Sequence, residues 1–307
     1  MKILVLGSAA GGGFPQWNCN CGNCRRARAG DPAAPPRTQS SLAVSADGER
    51  WVLLNASPDL GQQIRDNAPL HPRGKGRHSP IAAALLTNGD VDHVAGLLTL
   101  REGQRLAVYG TPRVQQVLAT NSIFNVLNPD AVTRRTLSLD ERCDLEDHDG
   151  APLGVQVTAF AVPGKVALYL ENAAAGPDFG TQPGDTIGLE IASGDRRCFY
   201  VPGCAAMPKE LAARLRGAQL VFFDGTLWRD DEMIAAGVGS KTGRRMGHMS
   251  IDGPGGTIAA FSPLDVRRKI FIHMNNTNPV LLADSPERAR AREAGWEVAE
   301  DGMEIRL

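Results

Sequence analysis

The residues with the clearest capacity for chemistry lie in one short turn, where Asp90, Asp92 and His93 fall within four positions. Two carboxylates and an imidazole so close together can hold a metal ion. In the alternative interpretation the two aspartates cap a helix and His93 packs as an ordinary helical histidine. The turn alone leaves both interpretations open.

A second group consists of the thiols of Cys19, Cys21 and Cys24, with Gly22 supplying a turn between them. Three thiols in six residues can converge on one soft cation, for which zinc is the first choice. A redox pair and an unligated loop are the alternatives. We predict a cysteine zinc knot at about residues 14–30, although no adjacent residue offers a fourth ligand.

The elements that must position these residues follow from hydrophobic patterning. A buried strand at 81–86, a polar turn and a helix opening at His93 place the first group at the carboxyl end of a strand, where open α/β layers bind ligands. Residues 122–148 are left unassigned and are considered as a lid. Further strands are predicted at 2–6, 41–46, 50–54, 105–109, 155–162, 166–171, 186–192, 197–201, 220–224 and 267–272. One helix is predicted to begin at 55–59 and end at about residue 67. A second is predicted to begin at Thr111, and a third is predicted at 208–216.

The composition limits the possible partners. The 307 residues contain 33 Lys and Arg against 34 Asp and Glu, so no excess charge indicates a nucleic acid or a membrane surface. The first apolar run is too short for a signal peptide, and no segment reaches the length of a membrane span. We therefore expect a cytoplasmic protein with reduced thiols. Cys143 and Cys198 are expected to be simply buried, and Cys204 is kept as a site candidate.

The central turn resembles the metal-binding motif of the metallo-β-lactamase superfamily, which reads His-x-His-x-Asp-His before a Gly-Leu-containing helix. Asn88 and Asp90 stand where the two leading histidines are expected. The turns at 162–165 and 200–208 also lack the expected histidine and bridging aspartate, whereas His273 matches the last histidine. A binuclear zinc hydrolase would thus have lost at least four ligands.

The matching residues that remain are Asp92, His93 and His273, with Asp90, Asp224 and His248 nearby. Two histidines and one carboxylate leave half of an octahedron open, which suits non-haem Fe(II). Zinc prefers a more closed, tetrahedral set. The ligand change therefore favours redox chemistry over hydrolysis.

The chain as a whole resembles the family of coenzyme PQQ (pyrroloquinoline quinone) biosynthesis protein B, from residue 1 to residue 307. This resemblance rests on the motifs at 14–24, 90–93, 223–228, 247–250 and 272–279. It implies one domain with an αββα sandwich, a cytoplasmic role in making PQQ, and a structural Zn²⁺ held by cysteines. In related phosphodiesterases a histidine at the position of Asn276 is the fourth zinc ligand, so Asn276 is the candidate here.

The resemblance implies one of two molecular roles. In the first, Asp92, His93 and His273 hold Fe²⁺ in a hydroxylase that oxidises the tyrosine ring of a Glu-Tyr-derived intermediate. His248 and Asp224 would then move protons or orient the substrate, and Asp90 would support or complete the metal set. In the second, the protein is a carrier that helps PQQ or its precursor reach the periplasm.

Both roles imply a small-molecule partner, either the Glu-Tyr intermediate or PQQ, and other PQQ biosynthesis proteins are candidate partners. Three cations are candidates to bind the carboxylates of such a ligand: Arg25, Arg26 and Lys165. The alternative is that these cations are simply solvated.

Overall fold

Two seven-stranded mixed sheets pack face to face and carry helices on their outer faces, which is the predicted αββα sandwich. The computed structural model describes residues 1–176 and 178–307. The first sheet has the strand order β14-β1-β2-β3-β4-β5-β6 and the second has the order β13-β12-β11-β10-β9-β8-β7. Their strands are β1 Lys2–Gly7, β2 Ser41–Ser45, β3 Trp51–Leu54, β4 Ile81–Leu85, β5 Leu106–Gly110, β6 Val132–Thr136, β7 Arg142–Glu146, β8 Pro152–Ala161, β9 Ile187–Ser193, β10 Arg196–Val201, β11 Val221–Asp224, β12 Lys269–Ile272, β13 Trp296–Val298 and β14 Glu304–Arg306.

The helices connect the parallel strands and border the loops. The α-helices of the described residues are α1 Gly22–Arg28, α2 Leu60–Asp66, α3 Val91–Val94, α4 Pro112–Thr120, α5 Lys209–Leu215, α6 Glu232–Ala235, α7 Gly243–Met246, α8 Thr257–Phe261 and α9 Pro286–Glu293. The 3₁₀ helices are Ala68–Leu70, Ala95–Leu100, Ser122–Val126, Leu168–Leu170, Ala173–Ala175 and Pro279–Leu281. No helix of residues 1–176 and 178–307 has the length and apolarity to cross a membrane.

Strand β3 shows how the core fixes the layers. Its four residues are all buried, because Val52 and Leu54 face the second sheet while Trp51 and Leu53 face the helices on the outside. Successive side chains of a strand point to opposite faces, so a strand covered on both sides reads as a continuous apolar run. This double burial makes the sheets a stiff support for the loops at their ends.

The parallel strands of both sheets end at the same cavity. Strands β3 to β6 run parallel in the first sheet, and β10 to β13 run parallel in the second. The turn after β4, the end of β11 and the residue after β12 therefore come together, as Asp92 and His273 show by their contact. This is the edge at which α/β layers bind ligands.

Three sequence predictions about elements were wrong. Residues 166–171 form a loop with the 3₁₀ turn Leu168–Leu170 and no strand, since β8 and β9 pair directly with each other and leave no edge for it. Residues 122–148 do not form a lid, because they supply β6 and β7, the edge strands of the two sheets. Helix α3 begins at Val91, two residues before His93, with Asp90 at the N-cap position but making no side-chain cap bond.

Candidate metal centre

His93 is oriented by Asn88, which lies in the turn three residues after the end of β4. Nδ1 of His93 lies 2.7 Å from Oδ1 of Asn88, which also accepts a hydrogen bond from the backbone N–H of Asp90. An acceptor at Nδ1 requires the proton there, so the lone pair of the neutral ring is on Nε2. Nε2 is buried and has no hydrogen-bond partner among the described residues. Burial lowers the pKa of His93 to about 4, which keeps this nitrogen free to bind a cation.

His273 approaches the same position from the second sheet. It follows β12 with φ of 61°, in the left-handed region, and the flanking backbone is fixed by hydrogen bonds from Met274 N to Ser8 O and from Asn275 N to Thr226 O. Nε2 of His273 lies 3.1 Å from Oδ2 of Asp92, and Nδ1 lies 3.0 Å from Oγ1 of Thr226. Thr226 thus holds one side of the ring while the other side faces Asp92.

Asp92 completes a group of three donors whose ligand atoms all lie within 4.8 Å of one another. Its Oδ2 is 3.9 Å from Nε2 of His93. Donors bound about 2.1 Å from one ion at angles of about 90° to 110° would be separated by about 3.0 to 3.4 Å, so small shifts bring all three onto one ion. Burial acts to raise the pKa of Asp92, but His93 and His273 outweigh it and hold this pKa well below its usual range. The unpaired imidazole nitrogen and the ionised carboxylate fit a divalent cation.

Asp224 and His248 form a second, different arrangement beside the first. Nδ1 of His248 lies 2.7 Å from Oδ2 of Asp224, and the His248 ring stacks on His273 with centroids 5.3 Å apart. Asp224 also accepts hydrogen bonds from the backbone N–H of Cys204 and from the N–H and hydroxyl of Thr226. Although burial acts to raise the pKa of Asp224, its contacts with His248 lower it. Both of its oxygens therefore have protein donors, and one of them holds Nδ1 of His248.

Thr226 connects a second group of three possible ligands. The ligand atoms of Asp224, His248 and His273 also lie within 4.8 Å of one another. The Thr226 hydroxyl is 2.6 Å from Oδ1 of Asp224, 3.1 Å from Nδ1 of His248 and 3.0 Å from Nδ1 of His273. This hydroxyl therefore bridges the three side chains in one hydrogen-bonded network.

The three cysteines of the predicted knot are brought together. The sulfur atoms of Cys19, Cys21 and Cys24 lie within 4.8 Å of one another, on both sides of the start of α1. Burial raises the pKa of Cys21 to about 11. Burial also acts to raise the pKa of Cys19, but hydrogen bonds from the Cys21 backbone and from the side chains around it together outweigh burial and lower this pKa. Three buried thiols with no disulfide between them fit a zinc ion.

Asn276 is the polar side chain that approaches the cysteine group. Its Nδ2 lies 3.3 Å from Sγ of Cys24 and 3.8 Å from Sγ of Cys21. An amide can donate N–H to the thiolates or turn its oxygen toward a metal, so the predicted role as fourth zinc ligand stays a prediction. The amide of Asn23 donates to the carbonyl oxygens of Asn276 and Thr277. The knot is therefore attached to the segment that follows His273.

Comparison with known proteins places this site in a family. A model of the beta-lactamase superfamily domain matches residues 50–274. A coenzyme PQQ synthesis protein B from Gluconacetobacter diazotrophicus is 59% identical to the chain over 99% of both sequences, and one from Xanthomonas euvesicatoria pv. vesicatoria is 57% identical over 100% of both. The crystal structure of Zn(2+)-bound PqqB from Methylobacterium extorquens is 52% identical, with a TM-score of 0.95 and 100% coverage of each chain.

The chain belongs to the coenzyme PQQ synthesis protein B family. This confirms the resemblance and the metallo-β-lactamase fold inferred from the sequence.

Within this family fold, the metal set borders a cavity of about 340 Å³. Asp90, Asp92, His93, His248 and His273 all line it. Asp90 does not join the three-donor group, because its Oδ1 accepts a hydrogen bond from the backbone N–H of Leu168. Burial, with a smaller contribution from Asp92, raises the pKa of Asp90. Asp90 thus connects the metal-binding turn to the loop at the mouth of the cavity.

The remaining site candidates separate into two groups. Lys165 lines the cavity, where it pairs with Glu171. Arg25 and Arg26 do not line it: Arg25 donates to the carbonyl of Asn20, and Arg26 pairs with Asp31 and Asp284. The prediction that these two arginines bind substrate carboxylates therefore loses its basis, because both lie on α1 outside the cavity lining and their guanidinium groups already have protein partners.

The outlying cysteines lie outside the metal group. Cys198 is buried in β10, and Cys143 is half-buried in β7. Cys204 is buried next to Asp224, and burial raises the pKa of its thiol to about 12. It acts through its backbone N–H, which donates to Asp224, while its thiol donates to the carbonyl of Ala206.

Sequence reasoning missed the residues that orient the ligands. Asn88 was interpreted only as a replaced histidine and Thr226 only as part of a motif, yet they fix His93 and His273. The Asn-Gly-Asp order was a usable signal, because an asparagine commonly bonds the backbone two residues on. No comparable signal in the sequence predicts the hydrogen bond that the Tyr169 hydroxyl donates to the carbonyl of Gly89.

Proposed function

We propose that this member of the PQQ synthesis protein B family is an Fe(II)- and O₂-dependent hydroxylase of the tyrosine ring of a Glu-Tyr-derived intermediate. Its family supports a role in PQQ biosynthesis. The overall change would convert a ring C–H to C–OH and the second oxygen atom to water, with two electrons from an added two-electron reductant.

The observation that carries this proposal is the donor set. One carboxylate and two imidazoles converge, and Nε2 of His93 is buried without a partner among the described residues. Such a set leaves positions open on one face of an octahedral ion, as in non-haem iron oxygenases. Bound there, Fe(II) would supply the activation of dioxygen that ring hydroxylation requires.

The side chains around the set have separate tasks in this proposal. Asn88 and Thr226 hold the rings of His93 and His273 so that both Nε2 atoms face Asp92. Asp224 holds the Nδ1 side of His248, which leaves Nε2 of that ring to accept a proton from the substrate phenol or to orient it. Asp90 holds the loop at the mouth of the cavity through Leu168.

A second candidate function is a carrier that binds PQQ or its precursor without chemistry. The cavity favours it in one respect, because Lys165 and Lys241 in its lining suit a polycarboxylate whether or not it reacts. Binuclear zinc hydrolysis has less support, since the Thr226 hydroxyl already bonds the three members of the second group and the turn at 200–208 contains no carboxylate.

The test is turnover of metal-stripped protein reloaded anaerobically with Fe(II) or Zn(II) and then given ¹⁸O₂, ascorbate and a tyrosine-type substrate. We expect one ¹⁸O atom in the product with iron only, and loss of that product in His93→Ala. Iron-independent product, or no product from the iron-loaded protein, would contradict the hydroxylase and favour the carrier. Lys75→Ala, a change in the exposed loop at 71–78, is the control for nonspecific effects of substitution and of metal removal.

A further inference from the structure

Lys241 is a polar residue of the metal cavity that lacks a partner. It lies between α6 and α7 and lines the cavity. Within residues 1–176 and 178–307 its side chain makes no hydrogen bond and no ion pair. Every other titratable or amide side chain in the lining has at least one such contact. These side chains are Gln16, Asn88, Asp90, Asp92, His93, Lys165, His248, His273 and Asn275.

The other cations close to the cavity already have carboxylate partners. Lys165 pairs with one oxygen of Glu171, and Arg245 pairs with both, its closest contact being 2.7 Å. Glu171 is ionised, because its hydrogen bonds with Arg245 and then Lys165 lower its pKa to about 2. Lys165 and Arg245 therefore share the carboxylate of Glu171, and Lys241 has no part in this network. A divalent ion at Asp92, His93 and His273 would add positive charge to the cavity that Lys241 lines.

The rest of the cavity suits an organic anion of moderate size. Met233, Met246 and Leu168 give it apolar walls next to Lys241. Apolar walls with a few polar groups that fix orientation are typical of small-molecule sites. A volume of about 340 Å³ is within the usual range of such sites, roughly 300 to 1,000 Å³.

We propose that Lys241 forms an anion subsite that binds a carboxylate of a free aromatic polycarboxylate, with the ring system against Met233 and Met246. This assignment of ligand class rests on the proposed function, because it takes the ligand from PQQ biosynthesis. Because Lys165 and Arg245 pair with Glu171, that carboxylate does not compete with the ligand for Lys241. Lys241 binds the ligand and takes no part in proton transfer.

The experiment measures binding and needs no turnover. PQQ is titrated into zinc-loaded protein without reductant, with fluorescence quenching as the readout, and the trimethyl ester of PQQ is titrated in parallel. We expect Lys241→Ala to weaken PQQ binding about five- to tenfold, as for loss of a charge-assisted contact, and to leave binding of the ester unchanged. Lys241→Arg should retain PQQ binding, and Lys75→Ala in the exposed loop should match the unaltered protein.

The outcomes separate this proposal from the hydroxylase. Equal PQQ affinity of Lys241→Ala and the unaltered protein, or no PQQ binding by the unaltered protein, would overturn the anion subsite. A loss in Lys241→Ala that is equal for PQQ and its ester would also overturn it, because the carboxylates would then not matter. A charge-specific loss together with no hydroxylated product would support the subsite while the hydroxylase fails.

Discussion

At the scale of single residues, Asn88 decides which nitrogen of His93 faces the metal position. We expect Asn88→Ala to lower the affinity of that site for Fe(II) about 10- to 100-fold, as for loss of other partners that orient metal-bound histidines. Anaerobic titration with Fe(II) measures the affinity. Asn128→Ala is the matched control, because Asn128 bonds the backbone of Asp130 in the same kind of turn. Equal iron affinity in Asn88→Ala and the control would refute this role.

Glu232 is a residue whose ionisation opposes folding near neutral pH. Burial raises its pKa to about 7, although its oxygens accept hydrogen bonds from Thr277 and from the Trp228 backbone. An unfolded glutamate has a pKa of about 4.3, so the folded state holds the extra proton between these values. Stability is lost as the pH rises through that window.

Glu232→Gln removes this ionisation, and its amide oxygen can accept from the Trp228 N–H while its amide N–H donates to the Thr277 hydroxyl. We expect the variant to gain free energy of unfolding over the unaltered protein as the pH rises from about 4.5 to 7. Urea denaturation at pH 5 and pH 8 measures the difference. Glu210→Gln, on the exposed start of α5, should show no such trend. A pH-independent difference for Glu232→Gln would count against the raised pKa.

At the scale of elements, the cysteine knot joins the N-terminal loop to the segment after β12. The thiols approach Asn276, and Asn23 bonds the carbonyls of Asn276 and Thr277. We expect Cys24→Ala to lose one bound zinc per chain and to melt at a lower temperature, because metal binding contributes directly to folding. Metal analysis and thermal melting measure both effects.

Cys198→Ala is the matched control for the knot, since Cys198 is as deeply buried as Cys24 but lies away from the other thiols. It should cost stability through a small cavity and keep its zinc. Equal zinc content in the two variants would show that Cys24 is not a ligand.

The loop that borders the cavity is fastened to the metal-binding turn by two hydrogen bonds. The Tyr169 hydroxyl donates to the carbonyl of Gly89, and the backbone N–H of Leu168 donates to Asp90. We expect Tyr169→Phe to speed amide hydrogen exchange in residues 166–176 about fivefold, since one hydrogen bond contributes about 1 kcal/mol. Tyr109→Phe, which removes the hydroxyl bond to Glu146, is the control. Unchanged exchange in Tyr169→Phe would refute the fastening.

At the scale of the whole molecule, local signals predicted many of the strands and the ligand groups, whereas the αββα sandwich was predicted from the family resemblance. Buried strands such as β4 read as short apolar runs, and the Asp92-His93 pair and the three cysteines are close in the chain. The edge strands β6 and β7 were not predicted, because four of their ten residues are exposed and polar. Their pairing depends on neighbours far along the chain.

The orienting contacts were out of reach of the sequence for the same reason. Thr226 meets His273 across 47 positions and Tyr169 meets Gly89 across 80 positions. The sequence also could not show that the ammonium group of Lys241 has no partner within residues 1–176 and 178–307. That follows only from the partners of the other polar side chains in the cavity. Asn88 was the exception, because its bond to Asp90 spans two residues.

The most direct test of the central claim is anomalous diffraction at the iron absorption edge from crystals of the zinc-loaded protein soaked anaerobically with Fe(II). The account predicts an iron peak about 2.1 Å from Oδ2 of Asp92 and from Nε2 of His93 and His273, distinct from the zinc at the cysteines. An iron peak between Asp224 and His248, or at the cysteines alone, would contradict it.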